Sequence, residues 1–273
     1  MKRRTGGAAR LYVAVIISLM YVPILLMIIY SFNRSRLSSV WGGFTLSWYG
    51  ELFRDRAMFS ALGNSVVLAF LSSLAAALIG ALGAVGAARP GFRARRPPGA
   101  GVMEFLAVLP IMTPEIILGM VLLAFFSLLG LPFGMTTLVI AHTSFCIPYV
   151  YLLVKARLAG LDKSCLEAAR DLGATEARTF WDILFPMILP AVISGMLLSF
   201  AMSFDDVIIS VFVTGVNTNT LPVRIYSQIR TGVTPKTNAL CALLFAFTVL
   251  LCLVSTWFLR PGETDTPQAK GRS

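Results

Sequence analysis

The sequence predicts an all-α membrane protein with six transmembrane helices and with both its N- and C-termini on the cytoplasmic side. Of its 273 residues, 57% are hydrophobic and only 13% are charged, and the mean hydropathy is +0.80. A soluble domain carries about 25% charged residues, so this composition excludes an ordinary water-soluble globule. The apolar residues gather in six long stretches, and the basic residues gather in alternate connections between them.

Each apolar stretch is between 19 and 28 residues long, and about 20 residues cross a bilayer as a helix. The stretches are 11–32, 64–88, 102–129, 136–154, 187–214 and 239–259. The first follows a basic segment, as the apolar part of a signal peptide does, but it is too long and lacks a small-residue cleavage site. We therefore expect it to be an uncleaved span.

The distribution of basic residues predicts the orientation. With a cytoplasmic N-terminus, the inside segments hold 16 Lys and Arg in 69 residues, against 7 in 61 residues outside. Cytoplasmic loops are enriched in Lys and Arg, so we expect segment 155–186 to be cytoplasmic and segments 33–63 and 215–238 to be periplasmic. The same bias explains the net charge of +10 without nucleic-acid binding. Residues 1–273 then form a single transmembrane domain.

Side chains suited to catalysis or metal binding are few. Cys146, Cys165, Cys241 and Cys252 have no zinc-like spacing, and we infer neither a disulfide nor a metal site. The only histidine, His142, lies in an apolar stretch and is expected to be packed and hydrogen-bonded. A Walker A sequence is missing, so ATP would have to be bound by another chain, and we expect no enzymatic activity from this one.

Small residues recur every four residues in the second stretch, at Ala76, Gly80, Ala84 and Ala88. This spacing places them on one face of a helix, where another helix can approach closely. The pattern therefore predicts a packing surface and carries no chemistry.

The connection 155–186 is, at 32 residues, longer than two adjacent spans require. Asp162 or Ser164 is expected to cap a short helix that contains Glu167-Ala168-Ala169. Gly173 is expected to end that helix by adopting the left-handed conformation.

A second helix is expected from about Ala174 until Pro186 stops it. The result would be a helix-turn-helix on the cytoplasmic side of the membrane. Its apolar residues Leu166, Ala169 and Leu172 are then expected to face a groove of a partner protein.

The order of residues in this connection resembles the EAA motif of binding-protein-dependent ABC importer permeases. The matching residues are Glu167-Ala168-Ala169, Gly173 and Ile183-Leu184-Phe185-Pro186. The family usually has Leu before the final Pro, where this chain has Phe185, a mild change of apolar contact. The resemblance implies the type I ABC importer permease fold. It also implies a coupling role toward an ATPase for Glu167, Ala168, Ala169, Gly173 and Pro186.

Other segments resemble the second permease subunit of spermidine/putrescine importers. They are Tyr30-Ser31-Phe32-Asn33, Trp48-Tyr49, Asn64-Ser65, His142-Thr143-Ser144-Phe145-Cys146-Ile147-Pro148, Ser203-Phe204-Asp205-Asp206-Val207 and Leu221-Pro222. This resemblance implies a multi-pass subunit of the bacterial inner membrane that forms half of a path for putrescine or spermidine. The implied partners are a second permease subunit, a dimer of ATPase subunits that binds ATP and Mg²⁺, a periplasmic solute-binding protein and the lipid bilayer. No cofactor is implied in this chain itself.

Asp205 and Asp206 lie late in the fifth stretch. An ionised Asp near a helix centre costs roughly 2.5–3.5 kcal/mol on insertion scales, so such residues face protein or a wet cavity. In a continuous helix Asp206 lies on a stripe of small and polar residues, and Asp205 lies about 100° away. The stripe consists of Gly195, Ser199, Ser203, Asp206, Ser210 and Thr214. We therefore expect Asp206, more than Asp205, to face the substrate path; the alternative is that the span ends near Phe204 and the pair begins a polar loop.

Glu115 is the other acidic candidate, directly after Pro114 and five residues beyond Pro110. Proline frees backbone carbonyls and opens a helix locally, and a cation could use those carbonyls together with Glu115. Equally, Glu115 could be a protonated, hydrogen-bonded acid that packs the bundle.

Aromatic side chains near these acids could add cation–π attraction for the ammonium groups of a polyamine. Phe204 and Tyr226 are candidates, with Phe200 and Phe212 close to them in sequence. Ordinary core or interface packing is the alternative for each of the four.

Two alternative functions stay open. The first is the same kind of permease for another small solute, such as an opine, an aminophosphonate or a metal cation. The second is an ion-coupled secondary transporter, which would show inverted repeats and would not need the long connection 155–186.

Labelling of introduced cysteines tests the predicted topology. Cysteines at Ser38 and Thr218 should react from outside and cysteines at Ala94 and Gln268 only from inside, because Lys and Arg crowd the inside segments. The measurement uses a membrane-impermeant maleimide on intact cells and on inverted vesicles. Labelling at Gln268 from outside would contradict a cytoplasmic C-terminus.

Overall fold

The computed structural model describes residues 7–36, 40–88, 99–162 and 164–258. Within these ranges the regular elements are helices, apart from an isolated bridge between Asn33 and Phe44. The all-α prediction is confirmed for this part of the chain.

The described helices range from 3 to 32 residues in length. They are α1 (Gly7–Tyr30), α2 (Ser47–Phe53), α3 (Arg56–Ala87), α4 (Ala100–Met112), α5 (Glu115–Leu128), α6 (Met135–Ala159), α7 (Ser164–Asp171), α8 (Glu176–Arg178), a π-helical segment (Thr179–Leu184), α9 (Phe185–Asp205), α10 (Ile208–Val213), α11 (Leu221–Thr231) and α12 (Pro235–Phe258).

Four of the described helices are long and apolar enough to cross a membrane by length and composition. They are Ala9–Tyr30, Arg56–Ala87, Met135–Ala159 and Glu176–Asp205. They correspond to the first, second, fourth and fifth predicted spans. The sixth stretch coincides with α12, in which Pro235–Leu250 forms a shorter apolar helix, so the count of six spans stays a prediction.

The third predicted span is not one straight helix. It is divided into α4 and α5, which are bent by 110° at Thr113 and Pro114. Thr113 is extended, with φ −92° and ψ 129°, because a residue before proline is driven out of the helical region. Its hydroxyl donates to the Leu109 carbonyl at 3.0 Å. The bent pair is either a broken span or a re-entrant segment, so the third span over 102–129 stays a prediction.

The chain divides into two compact units, one of Met1–Asp55 with Gln228–Ser273 and one of Arg56–Ser227. In the first unit α12 packs against both α1 and α2. The loop after α1 is closed by Asn33, whose side-chain oxygen accepts the backbone N–H groups of Ser35 and Gly42 at 3.1 and 2.8 Å. The indole N–H of Trp48 donates to the Asn33 carbonyl at 2.8 Å.

Helices α3, α6 and α9 pack together as the core of the second unit. A Cβ atom at Gly80 of α3 would lie 2.8 Å from Val150 Cβ, and one at Gly195 of α9 would lie 3.0 Å from Val150 Cα. Both glycines thus let a helix close onto the same residue of α6. Ala76 and Ala84 are fully buried, so the packing surface predicted for the second stretch is confirmed.

Candidate functional site

The fifth predicted span is interrupted at Asp206. Helix α9 ends with Asp205, Asp206 is extended with φ −64° and ψ 131°, and α10 begins at Ile208. The Asp206 carboxylate accepts the backbone N–H of Ile209 at 3.3 Å and that of Ser210 at 2.8 Å, so it caps α10 and satisfies donors that a helix start leaves unpaired.

This interruption overturns the continuous stripe predicted from Gly195 to Thr214. Gly195, Ser199 and Ser203 are buried on α9 as the spacing predicted. Beyond Asp206, whose ψ of 131° is extended, the main chain leaves the helical path, so Ser210 and Thr214 do not continue this row on one helix. Asp205 is the exposed member of the acidic pair, whereas the Asp206 side chain is only 7% exposed.

A chain of buried polar side chains lies next to the interruption. His142 of α6 is fully buried, and its Nδ1 lies 2.8 Å from Ser203 Oγ while its Nε2 lies 3.0 Å from Ser210 Oγ. Ser203 Oγ lies 2.9 Å from Ser72 Oγ of α3. We call these four residues, Ser72, His142, Ser203 and Ser210, the buried polar chain; the expectation of a packed, hydrogen-bonded histidine is confirmed.

The buried polar chain has a consistent direction of donation. Ser72 donates its hydroxyl hydrogen to the Leu68 carbonyl at 2.8 Å, so it accepts the hydroxyl of Ser203. Ser203 then accepts from Nδ1–H of His142, which leaves Nε2 to accept the hydroxyl of Ser210. We assign His142 as a neutral imidazole with its hydrogen on Nδ1 from this pattern.

The Asp206 carboxylate also lies near His142, with Oδ2 3.5 Å from Nε2. In the assigned tautomer Nε2 carries no hydrogen, so this approach is not an ion pair. Ser210 connects the two groups instead, because its backbone N–H binds Asp206 and its hydroxyl binds His142.

The other predicted path residues are distributed over three helices. Phe204 is half-buried on α9, and its ring stacks with that of Phe200 at a centroid distance of 6.1 Å. Glu115 is exposed at the start of α5, within electrostatic range of the Tyr149 hydroxyl. Tyr226 lies on α11 and is 43% exposed.

Glu115 is connected to Asp205 and Asp206 through the packing of α5 against α10. Helix α10 packs against α5, and Phe212 of α10 lies where a Cβ at Gly119 would meet it at 2.6 Å. Gly119 is one turn beyond Glu115. Among the described residues no hydrogen bond joins Glu115 to Asp205 or Asp206.

Sequence reasoning missed Ser72. It singled out His142 and Ser203 in matching segments and Ser210 in the stripe, but Ser72 belongs to none of these patterns. The only sequence signal was a pair of serines, Ser72-Ser73, within an apolar stretch. In hydrocarbon such hydroxyls need internal partners.

The connection with the EAA-like residues begins as predicted. Asp162 Oδ1 accepts the Ser164 backbone N–H at 2.9 Å, and α7 starts at Ser164. The backbone and side-chain hydrogen bonds from Ser164 lower the pKa of the exposed Asp162 carboxyl, since they stabilise its charged form. Gly173 ends the helix with φ +81°, a conformation that side-chain-bearing residues rarely adopt.

Two of the three apolar residues that were predicted to face a partner are buried within this chain. Leu166 and Ala169 are 3% and 8% exposed because they pack inside this chain, whereas Leu172 is 89% exposed. Glu167 and Ala168 are exposed beside Leu172. Leu166 and Ala169 therefore hold α7 onto the rest of this chain, whereas Glu167, Ala168 and Leu172 stay exposed.

The helix that follows does not stop at Pro186. Residues Glu176–Asp205 form one long helix, in which the π-helical segment Thr179–Leu184 immediately precedes α9. A π-helical turn replaces the α-helical hydrogen-bond pattern next to Pro186, which has no backbone N–H to donate. The expected stop is thus replaced by a local widening. The exposed Trp181 lies there against Phe180 and Phe185, at centroid distances of 5.1 and 5.2 Å.

Comparison with known proteins places these features in a family. Residues 79–260 match the family described as binding-protein-dependent transport system inner membrane component. The chain is 42% identical over 246 residues to the putrescine transport system permease protein PotI of Escherichia coli K12, covering 88% of this chain and 86% of that protein. It is 38% identical over 249 residues to the spermidine/putrescine transport system permease protein PotC of Haemophilus influenzae KW20, covering 91% and 95% respectively.

Solved structures agree on the fold. A subunit of a bacterial ABC transporter that imports the acidic polysaccharide alginate superposes with a TM-score of 0.69 at 14% identity, covering 92% of this chain and 95% of that one. The inward-facing MetNI methionine ABC transporter gives a TM-score of 0.59 at 19% identity, covering 78% and 95%. The chain therefore belongs to the binding-protein-dependent inner-membrane transport components: it is an ABC transporter permease, and ATP hydrolysis is done by a separate ATPase subunit.

Proposed function

We propose that this chain forms half of the translocation path for putrescine or spermidine in an ATP-driven importer. Identity of 38–42% with polyamine permeases over about nine-tenths of the chain carries this proposal. The acid at the interruption between α9 and α10 supplies a suitable chemistry, because polyamines are cations with two or more ammonium groups.

In this proposal Asp205 is the carboxylate that meets an ammonium group. It is exposed at the end of α9, and the stacked rings of Phe200 and Phe204 precede it on the same helix. A carboxylate pairs with the ammonium group, and aromatic faces attract cations and contact the methylene groups between them. Glu115 and Tyr226 are proposed to contact other parts of the substrate path.

Asp206 is proposed to act on the path indirectly, by fixing the position of α10 next to Asp205. Its oxygens already accept two backbone N–H groups of α10, and its side chain is largely buried. This assignment reverses the order expected from the continuous stripe. Loss of Asp206 is therefore expected to act through the position of α10.

The assembly that we propose has six spans in this chain, with both termini and the EAA-like loop in the cytoplasm. Counting α4 with α5 as one bent span and including α12 gives six helical crossings. The proposed partners are a second permease, a dimer of ATPase subunits that binds ATP and Mg²⁺, and a periplasmic solute-binding protein. Exposed Glu167, Ala168 and Leu172 would form the contact with the ATPase.

Substitution of Glu167 tests the coupling surface. Glu167→Lys should lower uptake about tenfold or more, because it reverses an exposed charge at the proposed interface with the ATPase. A tenfold loss corresponds to only about 1.4 kcal/mol of coupling free energy. The measurement is uptake of radiolabelled putrescine and ATP hydrolysis in proteoliposomes with all partners. Glu176→Lys makes the same charge reversal on an exposed residue outside the motif and should retain at least about half of the uptake. Unchanged ATP hydrolysis and uptake in Glu167→Lys would contradict the coupling role.

A pair of substitutions separates charge from capping at the acidic pair. Asp205→Asn removes the exposed charge and should lower putrescine uptake at least about tenfold. Asp206→Asn keeps one acceptor oxygen for α10 and should do less, whereas Asp206→Ala loses the cap and should match Asp205→Asn. Uptake is compared in membranes with matched amounts of assembled transporter. Full uptake by Asp205→Asn would remove that residue from the path.

A further inference from the structure

We propose that His142 is a positioning residue for the substrate path: its Nε2 holds Ser210, and thereby α10 and its cap Asp206, in the place that leaves Asp205 free at the end of α9. This inference rests on the proposed function. It concerns a residue that makes no contact with substrate and acts through two others.

The imidazole spans the interruption between two helices. Nδ1 lies 2.8 Å from Ser203 on α9, and Nε2 lies 3.0 Å from Ser210 on α10. Asp206, between these helices, has no helical backbone geometry. A rigid ring with polar atoms on two sides therefore links the two helices across the break in the helical main chain.

The side of His142 that faces α9 is supported by other contacts. Gly195 closes onto Val150, and Ser199 Oγ donates to the Cys146 carbonyl at 3.4 Å while Cys146 Sγ approaches the Ser199 carbonyl at 3.5 Å. Helices α6 and α9 consequently keep their alignment without the bond between His142 and Ser203.

The side that faces α10 has fewer supports. Besides Ser210, a hydroxyl of Thr137 donates to the Val213 carbonyl at 3.2 Å, at the far end of α10 from Asp206. Near Asp206, apart from the apolar packing of Ile209 in the core, the hydrogen bond from α6 to α10 among the described residues is the one at His142 Nε2. The His142 ring is fully buried and packs edge-on to Phe145 at a centroid distance of 5.3 Å. It therefore has little room to turn toward another partner if its hydrogen bond to Ser210 is lost.

Two amide side chains distinguish the two ends of the ring. Asparagine places its amide at the same number of bonds from the backbone as Nδ1, so His142→Asn keeps a donor for Ser203 and loses the acceptor for Ser210. Glutamine reaches as far as Nε2, so His142→Gln keeps an acceptor for Ser210. The proposal predicts that the glutamine variant keeps its uptake and the asparagine variant loses most of it, although the two are similar in polarity.

The experiment measures putrescine uptake and ATP hydrolysis together in proteoliposomes that contain the full transporter with its binding protein. In His142→Asn, uptake should fall about tenfold while ATP hydrolysis stays within about twofold of wild type. More ATP is then hydrolysed for each polyamine imported. In His142→Gln both quantities should stay within about twofold of wild type. A purely structural role predicts that assembly, hydrolysis and uptake fall together, which leaves the ratio unchanged.

Ser210→Ala removes the same hydrogen bond from the other partner. It should reproduce the loss seen in His142→Asn, and the double variant should lose about tenfold rather than about a hundredfold, since both changes break one interaction. Ser144→Ala is the matched control on α6, because the Ser144 hydroxyl donates to the Ala141 carbonyl at 2.7 Å and lies outside the buried polar chain.

Three results would overturn the proposal: wild-type uptake in His142→Asn, equal losses in the asparagine and glutamine variants, or an unchanged ratio of ATP to polyamine. A wild-type transporter that imports neither putrescine nor spermidine would overturn the proposed function and this inference together. Wild-type uptake of polyamine with an unaffected His142→Asn variant would overturn this inference alone.

Discussion

The hydrogen bond between His142 Nε2 and Ser210 is the interaction on which the arrangement of the site depends. A polar group in a hydrocarbon interior must find its partner within the protein, and the buried polar chain satisfies the four side chains involved. By tying α6 to α10, the buried polar chain supports a helix interruption at which Asp206 accepts the backbone N–H groups of Ile209 and Ser210. The interruption in turn separates the roles of Asp205 and Asp206, one exposed and one capping a helix.

Close helix packing makes the buried polar chain possible. Gly80 and Gly195 both allow their helices to reach Val150 of α6, and small residues at these two positions bring α3 and α9 to the distance at which Ser72 and Ser203 can bond. The packing pattern and the polar groups therefore depend on each other. Neither a bulkier residue at Gly195 nor an apolar residue at Ser203 would preserve the geometry around His142.

The sequence was sufficient for the features that depend on composition or local spacing. The helical class, the packing stripe of α3, the Asp162 cap and the end of α7 at Gly173 follow from such local rules. It failed where helical periodicity was carried through an interruption, as at Asp206, because periodicity alone contains no information on where a helix breaks. Leu166 was assigned to a partner for a similar reason: an apolar face on a helix shows that something covers it, but not whether the cover belongs to the same chain.

A structure of the complete transporter with spermidine, trapped with an ATPase that binds but does not hydrolyse ATP, tests the account most directly. We expect an ammonium group within about 4 Å of the Asp205 carboxylate, with Asp206 still accepting the backbone N–H groups of Ile209 and Ser210. Spermidine bound away from the α9–α10 interruption, or Asp206 released from α10 to bind the substrate, would contradict these roles of the two acids.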